Sequence, residues 1–378
     1  ASQFAGAVAD VSMLRDFHFF AKKDFGEDYL VTNKKQIESS LSQIIYSLNM
    51  PAGIRGFQSV FYNISVFDEF YFKGLYETAM YPDGTKVIDE WEGINKLQKF
   101  FLTWFNKERE TALLTFPVVT CALKLKGDEV ESQDWKNTVA KEFSEGNSFF
   151  IYMDENVSSL SSCCRLRNDI SRQLDNTFSY SLGAGGISTG SMNVITINVN
   201  RMIQDGKDLG EQLDLIYQYQ TAFADWFYFM KSKGKLPIYD AGFIALEKQY
   251  LTIGVNGVVE AAEFLGMKPT YNKEYISWLQ GLLGFIKDKN KEASEKYSKI
   301  LGHKLMFNTE FVPAENLGVK FYDWDKRDGY QVPEKRNLYN SYFYAVEDKN
   351  ISAIDKIRLY GRETIKYLDG GSALHLNM

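Results

Sequence analysis

An α/β fold, built from βα units around a mainly parallel sheet that is either open or closed into a barrel, is what this 378-residue sequence predicts. Two observations predict it. Stretches whose apolar residues recur at helical spacing alternate along the chain with short runs rich in β-branched and aromatic residues, the pattern of βα units. No Pro- or Ser-rich linker, repeat or low-complexity tract divides this alternation, so a single domain over 1–378 is expected.

Residues 33–48 place Ile37, Leu41, Ile44 and Leu48 on one helical stripe, with Thr32 or Asn33 as N-cap. After a loop at 51–56, residues 57–66 are aromatic and β-branched and read as a strand. Trp91, Ile94, Leu97, Phe101 and Trp104 mark the buried stripe of a long helix, and 113–123 reads as a buried strand despite Pro117. A helix over 131–144 leads to a strand at 149–152. The segment around Cys163 and Cys164 is polar and loop-like, and the glycine-rich run 182–190 feeds a strand at 192–199. Next come a helix at 208–232, a strand at 251–255, helices at 257–265 and 273–298, a strand at 304–307 and a helix at 314–320. A last helix spans 351–368, and Gly370-Gly371 turns into a final strand.

Aromatic content of 15% implies a bulky interior. A net charge of −6 without a long basic run argues against a grip on DNA or RNA. No apolar run approaches ~18 residues and no leader pattern opens the chain, so no membrane association is expected and the cytoplasm is the default location. Three cysteines make no disulfide framework. The chain begins at Ala1 and stops in a strand-like run, which reads as a fragment.

The pair Cys163-Cys164 draws attention to its loop. Zinc is not expected there, because His18, His303 and His375 stand alone and no Cys-x-x-Cys occurs. The glycine run 183–190 precedes a strand, whereas a phosphate-cradling loop follows a strand and opens a helix, so it reads as a connection. A nucleophilic thiolate would need a histidine or helix N-terminus, and no histidine is near in sequence. Buried packing is the ordinary fate of a free cysteine. The surrounding Ser, Arg, Asn and Asp suit a polar ligand better.

Cys163-Cys-Arg165, followed by 194–201 (Val-Ile-Thr-Ile-Asn-Val-Asn-Arg), resembles the anaerobic (class III) ribonucleoside-triphosphate reductases. Further segments agree in order: Arg55-Gly-Phe-Gln-Ser-Val-Phe-Tyr-Asn63, Leu251-Thr-Ile-Gly-Val-Asn-Gly-Val-Val-Glu260, Pro313-Ala-Glu-Asn316, Tyr339-Asn-Ser341, and the Gly370-Gly371 turn with His375 beyond it. The resemblance implies a ten-stranded α/β barrel of the ribonucleotide reductase and glycyl-radical enzyme type, with a central finger loop, here incomplete at both ends. It also implies that a finger-loop cysteine, as a thiyl radical, takes hydrogen from C3′ of the ribose before water leaves C2′. The position before arginine selects Cys164, with Cys163 as the alternative. Such a thiol carries a hydrogen atom and needs a water-poor site, not a lowered pKa.

For the triphosphate, the helix starts after Pro313-Ala-Glu-Asn316 and Gly254-Val-Asn-Gly257 are the candidates, which singles out Gly254, Asn256, Gly257, Ala314, Glu315 and Asn316. Asn63, Ser191 and Asn193 are candidate partners of substrate hydroxyls. The resemblance further implies dNTP and ATP effectors, a radical-SAM activating enzyme with an iron-sulfur cluster, formate or a thioredoxin-like protein as reductant, and a homodimer. The sequence departs from the family at Ser191, where Asn is common, and at Val312, where Thr is usual. The ATP-cone, a first barrel strand with its own cysteine, the glycyl-radical loop and a four-cysteine structural zinc site have no counterpart and are expected outside 1–378. Another glycyl-radical enzyme, of formate acetyltransferase or dehydratase type, and a nonenzymatic nucleotide-binding remnant are the alternatives.

Overall fold

A computed structural model describes residues 7–51, 59–147, 149–155, 157, 159–161, 167–169, 190–242, 245–311, 315–368, 372 and 374. The chain divides into two compact units, whose described parts lie within 7–169 and 190–374.

In the first unit, β1 (Ala7–Asp10), β2 (Phe61–Phe67), β3 (Val118–Lys126) and β5 (Phe149–Asp154) run parallel in that order, and β4 (Glu129–Val130) folds back antiparallel on β3. Each crossover is helical, as parallel pairing requires. Ile37, Leu41, Ile45 and Leu48 bury one stripe of the helix Lys34–Asn49; Ile45, not Ile44, is the fully buried member. The helix Trp91–Thr111 buries all five residues of its predicted stripe. Asp68 caps the helix Glu69–Leu75, accepting 2.7 Å bonds from the Tyr71 and Lys124 backbone nitrogens, and so ties that helix to β3.

Several bounds differ from the sequence-based expectation. Leu113 is 97% exposed and the strand starts at Val118, after the cis Phe116–Pro117 bond. The expected strand at 57–66 occupies Phe61–Phe67. Neither β1 nor the helix Met13–Phe25 is predicted. β1 is a four-residue strand, Ala-Val-Ala-Asp, with little β-propensity, and the helix buries Arg15 and His18, which disguises its apolar stripe.

A short antiparallel hairpin follows, β6 (Ser159–Ser161) with β7 (Arg167–Asp169), paired Ser161 to Arg167. It brackets 162–166. Cys163 and Cys164, the glycine run up to 189, and Gly370, Gly371 and His375 lie outside the described residues.

The second unit has a three-stranded parallel sheet in the order β10 (Met306–Glu310), β9 (Gln249–Asn256) and β8 (Gly190–Asn198). Helices Leu209–Ser232 and Lys273–Leu301 cover one face. Phe307 packs edge-on against Tyr217 at 4.9 Å, and Asn290 joins the Tyr217 hydroxyl (2.8 Å) to Thr309 Oγ1 (2.7 Å). The expected helix at 351–368 is two short ones, Ala353–Leu359 and Arg362–Ile365, broken at Gly361, and the helix expected at 314–320 runs on to Arg327.

Candidate functional site

Side chains alternate across a strand, so each sheet has two faces with separate compositions. In the second unit the helix-covered face carries Leu251, Ile253, Val255, Ile197, Phe307 and Thr309. The opposite face carries Thr252, Gly254 and Asn256 from β9, Thr196 and Asn198 from β8, and Asn308 and Glu310 from β10, in paired register. Polar residues on a strand usually mark the wet side. Here Thr252, Asn256, Asn308 and Glu310 are all at most 4% exposed.

A buried amide normally finds partners, and leaving one unpaired costs about 1–3 kcal/mol. Asn308 has no partner for either amide atom among the described residues, and neither does Asn256 Oδ1. Gly254 sits among them without a side chain. A Cβ there would collide with Thr196, so the strands lie too close for any other residue. The result is a polar floor with donors and acceptors to spare. The first unit repeats the theme: Asn63, Ser65 and Thr120 are buried together, Asn63 Nδ2 donates to Thr120 Oγ1 (2.8 Å), and Asn63 Oδ1 has no partner among the described residues.

At the carboxyl ends of β8 and β9, where ligands bind in parallel α/β sheets, the predicted segments converge. Asn256 Nδ2 donates to Ser341 Oγ at 2.9 Å. Gly257 has φ +77°, a left-handed turn that glycine adopts freely, and a Cβ on it would press on the Tyr339 ring at 3.2 Å. The helix Glu315–Arg327 approaches the same loop through Gly318, whose carbonyl accepts from the Tyr339 nitrogen at 3.1 Å. Asn316 is exposed in its first turn; Ala314 and the Glu315 side chain lie outside the described residues.

Two charged networks brace this end, and the sequence did not single out their residues. Asp325, fully buried, accepts from Arg201 (2.6 Å), twice from Asn198 and from the Tyr339 hydroxyl (2.7 Å). Burial and Asp325 push the Tyr339 phenol up. Arg327 and Arg201 hold the exposed Asp328 carboxyl at about 2. Glu260 Oε1 accepts from Arg336 (2.8 Å) and Asn340 (3.2 Å), while Oε2 has no partner among the described residues; burial raises this carboxyl, against the pull of Arg336 and Asn340. Both arginines are thus committed to carboxylates. Arg201, Glu260, Tyr339 and Asn340 all fall inside the quoted motifs, but only folding shows that they meet.

Within the second unit, Ser191 and Asn193 are not brought to this end. Ser191, exposed, bonds Thr252 Oγ1 (2.9 Å), near the start of β8. Asn193 follows a register shift and turns to the helices, where Gln220 donates to it at 3.4 Å, so it does not share the polar face. It pairs with Leu251, which at ~3.3 Å per residue is roughly 17 Å along the strand from Asn256. Asn63 belongs to the other unit. Among the described residues no group of three or more His, Cys, Asp or Glu is placed to hold a metal, and no helix is long and apolar enough to cross a membrane.

Helix-backed parallel sheets whose opposite faces are buried and polar define an α/β protein of the type seen in anaerobic ribonucleotide reductases. The chain belongs to the anaerobic ribonucleoside-triphosphate reductase family, whose model it matches over residues 1–378. It is similar to the Thermotoga maritima anaerobic ribonucleotide reductase with dATP bound in the specificity site (TM-score 0.80, 28% identity, 99% of this chain and 63% of that one). The same enzyme in complex with dATP and CTP matches at TM-score 0.78 and 28% identity, over 97% of this chain and 60% of that one. A further anaerobic ribonucleotide reductase matches at TM-score 0.78 and 28% identity, over 99% and 58%. The chain therefore spans about three-fifths of the length of the structures it matches. No curated protein matches it.

Proposed function

We propose that the chain is the catalytic barrel, a single domain over 1–378, of an enzyme that reduces ribonucleoside triphosphates to 2′-deoxyribonucleoside triphosphates for DNA synthesis under anaerobic conditions. The observation that carries this reading, in a chain of this family, is the buried polar face of β8–β10, on which Asn256 Oδ1 and both amide atoms of Asn308 have no partner among the described residues. Such a face suits a ligand that presents hydroxyls both to donate and to accept, as ribose does. Asn63 supplies an equivalent amide in the first unit. The finer fold reading is the family's ten-stranded barrel, incomplete at both ends, with Cys164 on its central finger loop.

In this reading Cys164 moves the hydrogen atom and Cys163 is its neighbour. The Gly254–Gly257 turn and the helix start at Ala314, Glu315 and Asn316 offer backbone N–H groups to the phosphates, with Arg201 and Arg336 bracing the loops. Ser191 orients Thr252, and Asn193 orients Gln220. The family reading adds a glycyl radical, which would take the hydrogen atom from the Cys164 thiol, together with an ATP-cone and a structural zinc site. The family reading brings dATP-like effectors, an iron-sulfur activating enzyme, formate or a thioredoxin-like reductant, a homodimer and a cytoplasmic setting.

The test is Cys164→Ser in the chain joined to a glycyl-radical domain and charged by its activating enzyme. Ribonucleotide reduction is expected to vanish while the radical still forms. Normal turnover in that variant, with loss in Cys163→Ser, would assign the reacting thiol to Cys163.

A further inference from the structure

We infer that Ser341 is a specificity-determining residue: by holding the amino end of the Asn256 amide it leaves Oδ1 as a fixed acceptor, so the site selects a ligand hydroxyl that donates there over a group that only accepts. This deepens the proposed function and rests on its reading that a ribose lies against the polar face. Three asparagines meet at the carboxyl ends of β8 and β9, and their amides are occupied differently. Asn198 has both ends bonded: Nδ2 donates to Asp325 (3.0 and 3.1 Å), and Oδ1 accepts from the Arg201 nitrogen (3.1 Å). Asn340 also has both ends bonded, Nδ2 to Glu260 Oε1 (3.2 Å) and Oδ1 to the Val346 nitrogen (3.1 Å). Asn256 does not. Its Nδ2 donates to Ser341 Oγ at 2.9 Å, while Oδ1, on a fully buried residue, has no partner among the described residues. The two ends of an amide are chemically opposite, so the end left to a ligand decides whether that ligand must donate or accept.

Ser341 is itself held in place, because the two residues before it are tied to three helices. The Tyr339 hydroxyl lies between Asp325 Oδ2 (2.7 Å) and Asn200 Nδ2 (2.6 Å), and its backbone nitrogen donates to the Gly318 carbonyl (3.1 Å). The Asn340 nitrogen and Nδ2 both reach Glu260 Oε1 at 3.2 Å. These bonds anchor 339–341 to the helices Val199–Gln204, Glu315–Arg327 and Val258–Phe264. The strap therefore fixes Ser341 Oγ before any ligand arrives, and the ligand has no amide to order on binding. A half-turn of the Asn256 amide would present Nδ2 and reverse the preference, which gives the test its direction.

The test is calorimetric titration of the chain with a ribonucleoside triphosphate and with its 2′-fluoro and 3′-fluoro analogues, in which fluorine fills the place of a hydroxyl but donates no hydrogen bond. A site built to bond a hydroxyl rejects the analogue that lacks it, so one of the two analogues is expected to bind the wild type at least about tenfold more weakly than the parent. Ser341→Ala releases the amide to turn either way, and the gap is expected to narrow to about threefold or less. Ser341→Ala combined with Asn256→Asp is expected to restore it, because a carboxylate presents an acceptor whichever way it turns. Simple loss of structure weakens all three ligands alike and leaves the ratio unchanged. Equal binding of parent and both analogues by the wild type, tighter binding of an analogue, or an unchanged ratio in Ser341→Ala would overturn the inference. Failure of the wild type to bind any of the three would instead remove the proposed function, and this inference with it.

Discussion

At the level of single residues, the informative side chains are those that break the rules of their own element. Asn308 lies in a buried strand with both amide atoms unpartnered among the described residues. A leucine of similar size would remove that cost, so Asn308→Leu is expected to stabilise the second unit by about 1–3 kcal/mol in a urea titration. Destabilisation of that size instead would mean that the amide is bonded within the protein. His18 is the other case. Its Nδ1 meets the Tyr29 hydroxyl at 2.9 Å and its Nε2 meets Glu90 at 3.1 Å, which suits a neutral ring that accepts from tyrosine and donates to the carboxylate. Burial lowers its pKa below the ordinary 6.5, against the pull of Glu90. The unfolded chain therefore binds the proton more readily, so this stability is fully present above pH 6.5 and is lost as pH falls through the lower folded value. His18→Gln is expected to flatten the fall in unfolding free energy of the first unit between neutral and mildly acidic pH. An unchanged slope would remove His18 as its source. Cys164 was singled out before Cys163 only through family resemblance, and Asn308 was not legible at all, since nothing in Phe-Asn-Thr-Glu tells which residue turns from the helices.

At the scale of elements, periodicity was most readable where one face was purely apolar. The stripe from Trp91 to Trp104 is buried as expected because every member is large and apolar. The helix Met13–Phe25 escaped notice because buried His18 and Arg15 occupy core positions. The tail at 351–368 had helical spacing, but tertiary packing ends it at Gly361. The helix Glu315–Arg327 is held to the end of β8 by Asp325, whose partners Asn198, Arg201 and Tyr339 come from two other stretches, 194–201 and 339–341. Asp325→Ala would leave Arg201 to Asp328 alone and remove an acceptor from Asn198 and the buried Tyr339 hydroxyl, and is expected to cost about 1–3 kcal/mol. Hydrogen exchange should then quicken in this helix and in 339–341 ahead of the Lys273–Leu301 core. Uniform quickening across the unit would show that the network does not act locally.

For the whole molecule, the alternation of strand and helix was enough to foresee an α/β protein with parallel sheets, and ordered motifs were enough to foresee the family. The division into two units was not visible, because no linker composition marks it. The polar faces were half visible: the motifs ending Thr-Ile-Asn and Thr-Ile-Gly-Val-Asn carry their alternation, yet only pairing in register shows Thr196, Gly254 and Glu310 side by side. That face is the core of the functional account. Its most direct test is calorimetric titration of this chain with a ribonucleoside triphosphate, beside Asn308→Leu, Asn256→Leu and His18→Gln. The account predicts saturable binding by the wild type and by His18→Gln, with affinity at least about tenfold weaker, or ~1.4 kcal/mol, in each asparagine variant. No binding by the wild type at millimolar nucleotide, or equal affinity in the asparagine variants, would contradict it.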